Sequence, residues 1–515
     1  EIHYVRDQRV LTSHVTHSSH MALACGIDHV IETECPYTCQ AKSSNDVGKV
    51  VFSVDAQPGV PIRITKYITY QDSRRSSTEQ LCERGERTLD RAVAHGFSGL
   101  LASQRRFLDR FWAESDISFT GAAELQQAIR FNLFHILQAS ARADRAGIPA
   151  KGLTGQGYEG HYFWDTEIYV LPFLIYTNPR VARNLLELRY KQLDHARKRA
   201  REVNQKGALF PWRTIGGEEA SAYYAAGTAQ YHINAAVMYA LKKYVDVTGD
   251  LDFLERRGAE ILVETARLWA DLGFYSESKD GRFCIHGVTG PDEYNTVVNN
   301  NTYTNLMARE NLRYAVTTVE NLRERNPDRF TIVVDRTGLE LSEIQEWRQA
   351  AERMYIPFDE ALGIHPQDDA FTEREPWDLK NTPPDRFPLL LHHHPLVIYR
   401  HKVIKQADVV LAMFLLGHEF TPEQIRRNFD YYDPLTTGDS SLSVSIQGIV
   451  AAELGYRDKA REYAVYGGMM DLADVGGNVK DGLHIASMGG TWRTMVYGLA
   501  GLRDWVRGIK GRKRP

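Results

Sequence analysis

The stretch LQQAIRFNLFHIL at residues 125–137 decides the fold class of this chain. Its apolar side chains recur at helical spacing, at Leu125, Ala128, Ile129, Leu133, Ile136 and Leu137. That spacing places them on one face, which is typical of a helix that packs against other elements. We therefore predict an amphipathic helix at this point in the chain.

The same pattern recurs in about a dozen later segments, and strand-like pieces only interrupt them briefly. We predict helices at residues 166–175, 179–193, 233–245, 251–272, 305–322, 342–354, 406–416, 422–431, 441–454, 457–470 and 491–505. Paired helices in this number favour a mainly α fold, an (α/α)6 barrel. A stacked helical solenoid is the alternative, but the sequence shows no fixed-period repeat. The connecting loops are rich in Trp, Asp, Glu, His and Gly, which suits a barrel with a pocket at one end.

The N-terminal residues have a different period. Apolar residues near positions 50–54 and 62–68 approximate a two-residue alternation around Pro58 and Pro61, which indicates strands. Residues 81–112 then read as helix. We predict a partial β-sandwich at residues 1–72, a helical linker at 73–120, an (α/α)6 barrel catalytic domain at 121–508 and a basic tail at 509–515. Since the chain begins at Glu1 rather than Met, we expect a fragment, a processed product or an incomplete record.

Composition excludes several function classes. The 515 residues are 43% hydrophobic and carry a formal net charge of -4, which gives no electrostatic case for a nucleic-acid partner. No apolar run is long enough to span a bilayer, and no secretory signal opens the chain. The five cysteines are sparse and odd in number, so we expect reduced thiols in a cytoplasmic protein.

The segment VTGPDEYN at residues 288–295 is the sharpest candidate for chemistry. Gly290-Pro291 predicts a turn between helices. Asp292 could simply cap the following helix. Alternatively, one of the two adjacent acids is held against a glycosidic oxygen, with its pKa raised by burial so that it can donate a proton. The residues alone leave both interpretations open.

Two further segments place aromatic residues beside acids. GHYFWDTE at residues 160–167 contains Trp164 and Asp165, and LFPWRTIGGEE at 209–219 contains Trp212 and Glu218. A pyranose is commonly held by an aromatic face and a carboxylate that accepts from its hydroxyls. We therefore predict sugar contacts for these four residues, whereas Phe163 is expected to be a core aromatic.

The segment DGLHIASMGGTW at residues 481–492 leads into a predicted helix. Ser487, Gly489 and Gly490 just before a helix start could offer backbone N–H groups and the helix dipole to an anion, with His484 as a further donor. A flexible turn is the alternative interpretation.

The histidine run at residues 392–394 is not expected to bind a metal, because consecutive histidines point in different directions and no partner follows at ligand spacing. We interpret Lys405 and Gln406, which follow this run, as hydrogen-bond donors at a helix start.

Together, these segments resemble glycoside hydrolase family 65, the family of maltose, trehalose, kojibiose and nigerose phosphorylases. The resemblance also covers GTAQYHIN at 227–234, NNNTYTNLMARENL at 299–312, LLLHHHP at 389–395, VIKQAD at 403–408 and DSSLS at 439–443. The motifs fall in order and span about residues 120–505. The family implies an (α/α)6 barrel preceded by a β-sandwich and a helical linker, usually with a small C-terminal β domain.

The resemblance also implies roles for individual residues. The family's general acid falls on Glu293. Its glucose subsite falls on Trp164 and Asp165, completed by Lys405 and Gln406. Its phosphate pocket falls on His484, Ser487, Gly489 and Gly490.

The chain departs from the family pattern at both ends. We expect its N-terminal sandwich to be shorter than the family's, and we expect this sequence to stop at about the last barrel helix, without the C-terminal β domain. The family's sandwich helps to form its dimer, so a homodimer is expected and the shorter sandwich could affect activity.

The loop around His484 favours phosphorolysis over hydrolysis. An inverting hydrolase needs a second carboxylate to activate water, whereas phosphate is already an anionic nucleophile. We therefore predict inverting phosphorolysis of an α-linked glucose disaccharide to β-glucose 1-phosphate and the free acceptor, with inorganic phosphate as co-substrate and no cofactor. Maltose or trehalose is the first expectation, and kojibiose or nigerose is possible. An inverting α-glucoside hydrolase and an inactive sugar-binding remnant are the alternatives.

Overall fold

The structure, a computed structural model, describes residues 2–17, 20–44, 46–73, 76–140 and 146–504, and the backbone of residues 510–511. The chain divides into two compact units, Glu1–Asp116 and Ile117–Pro515. The first unit holds strands and one long helix, and the second holds the other helices. The chain is therefore mainly helical with an N-terminal sheet region, as the sequence predicted.

Antiparallel strands dominate the first unit. They are β1 (Ile2–Arg6), β2 (Arg9–Val15), β3 (Ala22–Glu32), β4 (Tyr37–Ser44), β5 (Val47–Val54) and β6 (Arg63–Ser73). The sheet order is β1-β2-β3-β6, and β4 and β5 form a hairpin that packs against β1 and β2. Helix α1 (Thr78–Ser115) covers β3 and β6 and is broken at Gly96, where φ is 70°.

The second unit is built from helices. They are α2 (Ala123–Ser140), α3 (Leu171–Thr177), α4 (Pro179–Lys191), α5 (Leu193–Glu202), α6 (Ile233–Thr248), α7 (Leu251–Phe253), α8 (Ala259–Leu272), α9 (Thr302–Arg325), α10 (Pro327–Thr337), α11 (Leu341–Arg353), α12 (Leu389–His392), α13 (Pro395–Ile398), α14 (Asp408–Leu415), α15 (Pro422–Tyr432), α16 (Ser443–Leu454), α17 (Arg457–Met469) and α18 (Ile485–Arg493). A π-helical turn at Thr166–Val170 runs directly into α3, and another at Thr494–Leu499 continues α18.

Six of these helices pack in a cyclic order. Helix α3 packs on α6, α6 on α9, α9 on α14, α14 on α16, α16 on α18, and α18 on α3. Every residue of α14 is buried, as expected for a helix that other elements surround on all sides. The helices α2, α4, α8, α11, α15 and α17 each pack on members of this group. We call α3, α6, α9, α14, α16 and α18 the inner helices.

Short strand pairs connect the helices. They are β7 (Tyr162–Phe163) with β8 (Arg213–Thr214), β9 (Phe274–Ser276) with β10 (Arg282–Cys284), β11 (Glu375–Pro376) with β12 (His401–Lys402), and β13 (Leu502–Arg503) with β14 (Lys510–Gly511). The last pair includes two residues of the predicted basic tail, and residues 509 and 512–515 of that tail lie outside the described residues. Along the described ranges, no helix combines the length and the apolarity needed to cross a bilayer.

Helix α18 differs from the prediction. We expected a helix start at residue 491, but α18 begins at Ile485 and contains Gly489 and Gly490 in its interior. A Cβ atom at Gly489 would lie 2.4 Å from the carbonyl oxygen of Tyr169, and one at Gly490 would lie 2.6 Å from Ser445 Oγ. The two glycines therefore allow close packing of a helix and do not form a turn before it. Helix α10 was also not predicted.

A buried ion pair fixes α4 to the turn before α3. Arg189 Nε donates to Glu167 Oε1 at 2.7 Å, and neither side chain is exposed to solvent. Tyr162 Oη donates to the same carboxylate oxygen at 2.7 Å, and the Arg189 guanidinium lies 4.6 Å from the Tyr162 ring centroid. A buried charge that loses its partner destabilises the folded state, so removal of either charge of this pair should lower the stability of the protein.

We expect Glu167→Gln to lower the free energy of unfolding by about 3 kcal/mol, because Arg189 would lose its buried counterion. The control is Glu202→Gln, which removes an exposed carboxylate 3.2 Å from Arg199 and should cost less than about 1 kcal/mol. Urea denaturation of both variants measures the difference. Equal midpoints for the two variants would contradict the prediction.

Candidate active site

Several of the residues singled out in the sequence lie where the inner helices begin. The residue that precedes each helical segment is Asp165 (before the turn into α3), His232 (α6), Asn301 (α9), Ala407 (α14), Leu442 (α16) and His484 (α18). Helix N-termini carry unsatisfied N–H groups and partial positive charge. This arrangement gathers polar loops and donors, as a site for sugars and anions requires.

Glu293 and Lys405 meet at the centre of this group. The Lys405 ammonium donates to Glu293 Oε2, and their side chains are 22% and 14% exposed, respectively. Glu293 lies in the loop between β10 and α9, and Lys405 lies just before α14. The predicted proton donor is therefore partly accessible and paired with a cation.

Asp292 holds these two loops together. Its side chain is buried, and its carboxylate accepts hydrogen bonds from Tyr294 N, Asn295 Nδ2, Gln367 Nε2, Lys405 N and Gln406 N. The bond from Lys405 N is 2.8 Å long. Asp292 therefore does more than cap the next helix: it sets Glu293 beside Lys405.

A second buried acid supports Asp292. Asp408 Oδ1 accepts from the Asp292 backbone N–H at 2.7 Å, and Asp408 Oδ2 accepts from Asn301 Nδ2 at 3.2 Å. Burial raises the pKa of Asp292 to about 6. Burial and the neighbouring Asp292 charge raise the pKa of Asp408 further above its ordinary range. Asp408 was not predicted from the sequence, because an Asp at a helix start is typical of an ordinary helix terminus.

Asp165 shares the electrostatic field of Glu293 and Lys405. Burial raises the pKa of Asp165 to about 7, the Glu293 charge raises it as well, and Lys405 opposes both effects. Acids with pKa values near neutrality concentrate at functional sites. Two carboxylates and one ammonium thus lie together in this part of the site.

Trp164 lies deeper than a stacking platform would. Its side chain is 2% exposed, and its ring contacts those of His232 and Tyr169 edge-on at 4.7 and 6.2 Å between centroids. Burial lowers the pKa of His232 to about 3, so that imidazole is neutral. The Trp164 ring therefore packs against protein side chains next to Asp165 in the chain. Gln406 is also buried and lines a small cavity with Tyr169 and Pro291.

Trp212 belongs to a row of aromatic rings. It contacts Phe163 edge-on at 5.1 Å and Tyr223 at 6.4 Å, and Phe163 also contacts Tyr158 at 5.2 Å. Phe163 is buried, as expected, whereas Tyr223 is 63% exposed. Exposed aromatic faces beside an acid suit contact with a pyranose.

The structure does not bring Glu218 to this group. Glu218 is exposed and lies 3.3 Å from His195 Nδ1 on α5. The next residue, Glu219, turns inward instead and accepts from the backbone N–H of Trp212 at 2.7 Å and of Arg213 at 3.3 Å. Since backbone donors hold Glu219, the adjacent Glu218 side chain points to solvent. The structure thus places Glu218 apart from Glu293 and Lys405, and the sugar contact of Glu218 stays a prediction.

Tyr158 is a site residue that the sequence did not reveal. Desolvation raises the pKa of Tyr158 although the residue is 50% exposed, and the charges of Lys405, Asp165 and Glu293 also act on it. Tyr158 and the following Glu159 both have positive φ, at 58° and 51°. Two consecutive non-glycine residues in this region are strained, and such strain is found preferentially at binding and catalytic sites.

His484 and Ser487 open helix α18. The His484 ring nitrogen Nδ1 lies 2.7 Å from Asp471 Oδ1, and the Ser487 hydroxyl donates to the carbonyl of Ser441 at 3.1 Å. The first-turn N–H groups have no preceding helical carbonyl to bind. Gly489 and Gly490 lie beyond that turn, so their N–H groups point to carbonyls of the same helix. The prediction that these glycines present free amides is corrected, whereas His484 and Ser487 keep their position at the helix start.

Comparison with known proteins identifies the family of both units. The glycosyl hydrolase family 65 central catalytic domain matches residues 130–493. The glycosyl hydrolase family 65, N-terminal domain matches residues 1–111. The two matches cover most of the chain.

Individual relatives agree with this assignment. The chain is 47% identical to the alpha,alpha-trehalose phosphorylase of Thermoanaerobacter brockii over 95% of its own length and 63% of that protein. It is 51% identical to the alpha,alpha-trehalose phosphorylase of Geobacillus stearothermophilus over 87% of its length and 58% of that protein. The chain thus spans less than two thirds of these relatives.

A solved structure has the same fold. It is provisionally named as a kojibiose phosphorylase from the human microbiome and is 30% identical to this chain. The match covers 99% of this chain and 67% of that one, with a TM-score of 0.90.

The raised pKa of Asp165 predicts a pH-dependent stability. An acid whose pKa is higher in the folded than in the unfolded state destabilises the fold when it ionises, so the effect grows as the pH rises from about 4 to 7. We expect Asp165→Asn to be more stable than the wild type at pH 8, on the order of 2 kcal/mol, and by less than half of this at pH 5.

Urea denaturation at the two pH values measures this difference. Asp194→Asn is the control, because the Asp194 side chain is 91% exposed and its loss should change stability little at either pH. A wild type as stable as Asp165→Asn at pH 8 would show that Asp165 carries no such penalty.

Proposed function

The chain belongs to glycosyl hydrolase family 65, and we therefore propose that it carries the catalytic centre of an inverting phosphorylase. The substrate is an α-linked glucose disaccharide, and the co-substrate is inorganic phosphate. One observation carries this proposal: the acid Glu293 and the start of α18, where we place the phosphate, belong to the same set of loops at the starts of the inner helices. No resident cofactor or metal is part of the proposal.

In the proposed reaction, Glu293 is the general acid. It donates a proton to the glycosidic oxygen as the bond from that oxygen to C1 breaks. A phosphate oxygen, held by His484, Ser487 and first-turn amides of α18, forms the new bond to C1 from the opposite face. The products are β-glucose 1-phosphate and the free acceptor sugar.

Lys405 and Asp165 bind the glucose in this scheme. A sugar hydroxyl near the Lys405 ammonium competes with Glu293 for that cation and weakens the ion pair. Asp165 accepts hydrogen bonds from sugar hydroxyls, and Gln406 adds an amide donor. Trp164 supports Asp165 from behind, and Trp212 with Tyr158 and Tyr223 supplies aromatic faces for the disaccharide.

Trehalose is the substrate that the relatives favour. The two trehalose phosphorylases are 47% and 51% identical to this chain, compared with 39% for the kojibiose phosphorylase of Halothermothrix orenii and 37% for the maltose phosphorylase of Bacillus subtilis. We therefore propose α,α-trehalose first, with maltose, kojibiose and nigerose as further substrates to test.

Hydrolysis is the second candidate, and one observation favours it. Asp165 places a second carboxylate near Glu293, and an inverting hydrolase needs such a pair. A sugar-binding remnant without activity is the third. Incubation with each disaccharide, with and without phosphate, separates the three: glucose 1-phosphate only with phosphate, glucose equally without it, or no turnover.

The finer architecture is also part of the proposal. The cyclic packing of the inner helices supports an (α/α)6 barrel at residues 121–508. The hairpin β4–β5 against the first sheet supports a partial sandwich at residues 1–72, and α1 supports the linker at 73–120. A homodimer in the cytoplasm remains a prediction from the family resemblance.

We expect Glu293→Gln to lower kcat for phosphorolysis by about 100-fold or more, because the amide cannot donate the required proton. Proton NMR detection of glucose 1-phosphate from trehalose measures the rate. Glu202→Gln is the control: it changes an exposed acid on α5 and should leave the rate unchanged. Nearly full activity of Glu293→Gln would remove Glu293 from the role of acid.

We expect His484→Glu to raise the KM for phosphate by about tenfold or more, because a carboxylate at the helix start repels the anion. His484→Gln removes the ring without adding charge and should have a smaller effect of the same sign. Initial rates over a range of phosphate concentrations measure both. An unchanged KM in both variants would exclude His484 from the phosphate pocket.

A further inference from the structure

Both carboxylate oxygens of Asp471 bind His484. Asp471 Oδ2 accepts from the His484 backbone N–H at 2.7 Å, and Asp471 Oδ1 lies 2.7 Å from the ring nitrogen Nδ1. The Asp471 side chain is 2% exposed and the His484 side chain 16%. Because both oxygens of this buried acid bind His484, Asp471 fixes the backbone and the ring of His484 together.

The chemistry of the pair determines which nitrogen faces the pocket. An ionised carboxylate has only acceptors, so the Nδ1 that meets Asp471 carries the ring proton. The other ring nitrogen, Nε2, is left for a ligand. Without such a partner, an imidazole can exchange its tautomer or flip its ring, and outer carboxylates prevent this in many histidine sites.

Lys151 is the cation that accompanies this buried acid. It is 4% exposed, and its ammonium donates to the Gly482 carbonyl at 3.0 Å. Burial lowers the pKa of Lys151, and the charges of Asp471 and Asp481 oppose that effect. Burial also lowers the pKa of His135 on α2, and the charge of Asp471 opposes this effect.

Loop 147–157 braces the same segment from outside. Leu483 N donates to Thr154 Oγ1 at 2.8 Å, and Ile485 N donates to the Ala150 carbonyl at 3.3 Å. A Cβ atom at Gly155 would lie 2.4 Å from the Cα of Gly482, so only glycine allows this approach. The residues before and after His484 are therefore held while Asp471 holds His484 itself.

We propose that Asp471 is a positioning residue for phosphate: it keeps the proton of His484 on Nδ1 and turns Nε2 toward the phosphate oxygens. The proposal rests on the proposed phosphorolysis and on the place of His484 in it. Asp471 does not touch the reacting atoms and acts only through the imidazole. The neutral ring then accepts a hydrogen bond from a phosphate O–H, and the protonated ring donates one.

The test is a double-mutant cycle on phosphate use. We expect Asp471→Asn to raise the KM for phosphate, and the dissociation constant from phosphorus NMR titration, by about tenfold. The KM for the disaccharide should stay within about twofold. In a His484→Ala background, Asp471→Asn should add less than about twofold, because its route to phosphate is gone. Asp481→Asn, an exposed acid also close to Lys151, is the matched control.

The outcomes separate this inference from the proposed function. Glucose release without phosphate by the wild type would overturn the proposed function. Wild-type phosphorolysis with unchanged phosphate binding in Asp471→Asn would overturn the positioning role alone. An equal loss of phosphate binding in the His484→Ala background would also overturn it, because the effect would then not pass through the imidazole.

A second measurement does not depend on a folded Asp471 variant. Nitrogen-15 NMR of the histidine rings in the wild type, with the His484 signals assigned from His484→Ala, reports which ring nitrogen carries the proton. We expect protonated Nδ1. A neutral His484 with its proton on Nε2 would overturn the proposal.

Discussion

A buried carboxylate is tolerated only where donors replace its water, and the site depends on one such group. The Asp292 carboxylate lies between the loop before α9 and the loop before α14 and accepts from both. Glu293 is adjacent to Asp292 in the chain, and Lys405 donates its backbone N–H to the Asp292 carboxylate. The Asp292 carboxylate therefore places the Glu293 acid beside the Lys405 ammonium. Asn295 Nδ2 also donates across the two loops, to the Val403 carbonyl at 3.1 Å, so the Asp292 carboxylate is the centre of a small network that fixes their separation.

The burial of carboxylates in the site lowers the stability of the folded protein. Asp165, Asp292 and Asp408 all have raised pKa values, with burial as the largest cause in each case. Natural proteins retain such groups where their chemistry is needed and offset the cost elsewhere. Here the offset comes from the inner helices: α14 is buried along its whole length, so its apolar residues contribute burial that the site loops cannot.

Helical periodicity predicted most of the helices, and the ordered motifs predicted the family and the loops of the site. Periodicity could not place the start of α18, because a Gly-Gly pair in a sequence is typical of a turn. In the structure, Gly489 and Gly490 are needed because α18 packs closely against Tyr169 and Ser445. Likewise, Glu218 and Glu219 are equivalent in sequence, and only the folded backbone decides which one turns inward. Asp471 lies outside every motif, since its role depends on a contact across 13 residues.

The orientation of the inner helices links the fold to the proposed chemistry. The segments that begin beside Asp165, Asn301, Ala407 and His484 all start at the site. Each start contributes N–H donors and partial positive charge within about one turn. The site must hold Asp165, Glu293 and, in the proposed reaction, phosphate, but the contacts around Glu293 provide only one ammonium, that of Lys405. Lys151, buried and close to Asp471, adds a second cation near the start of α18. The helix starts add partial positive charge to both cations, so in the proposed reaction the packing of the helices contributes to anion binding.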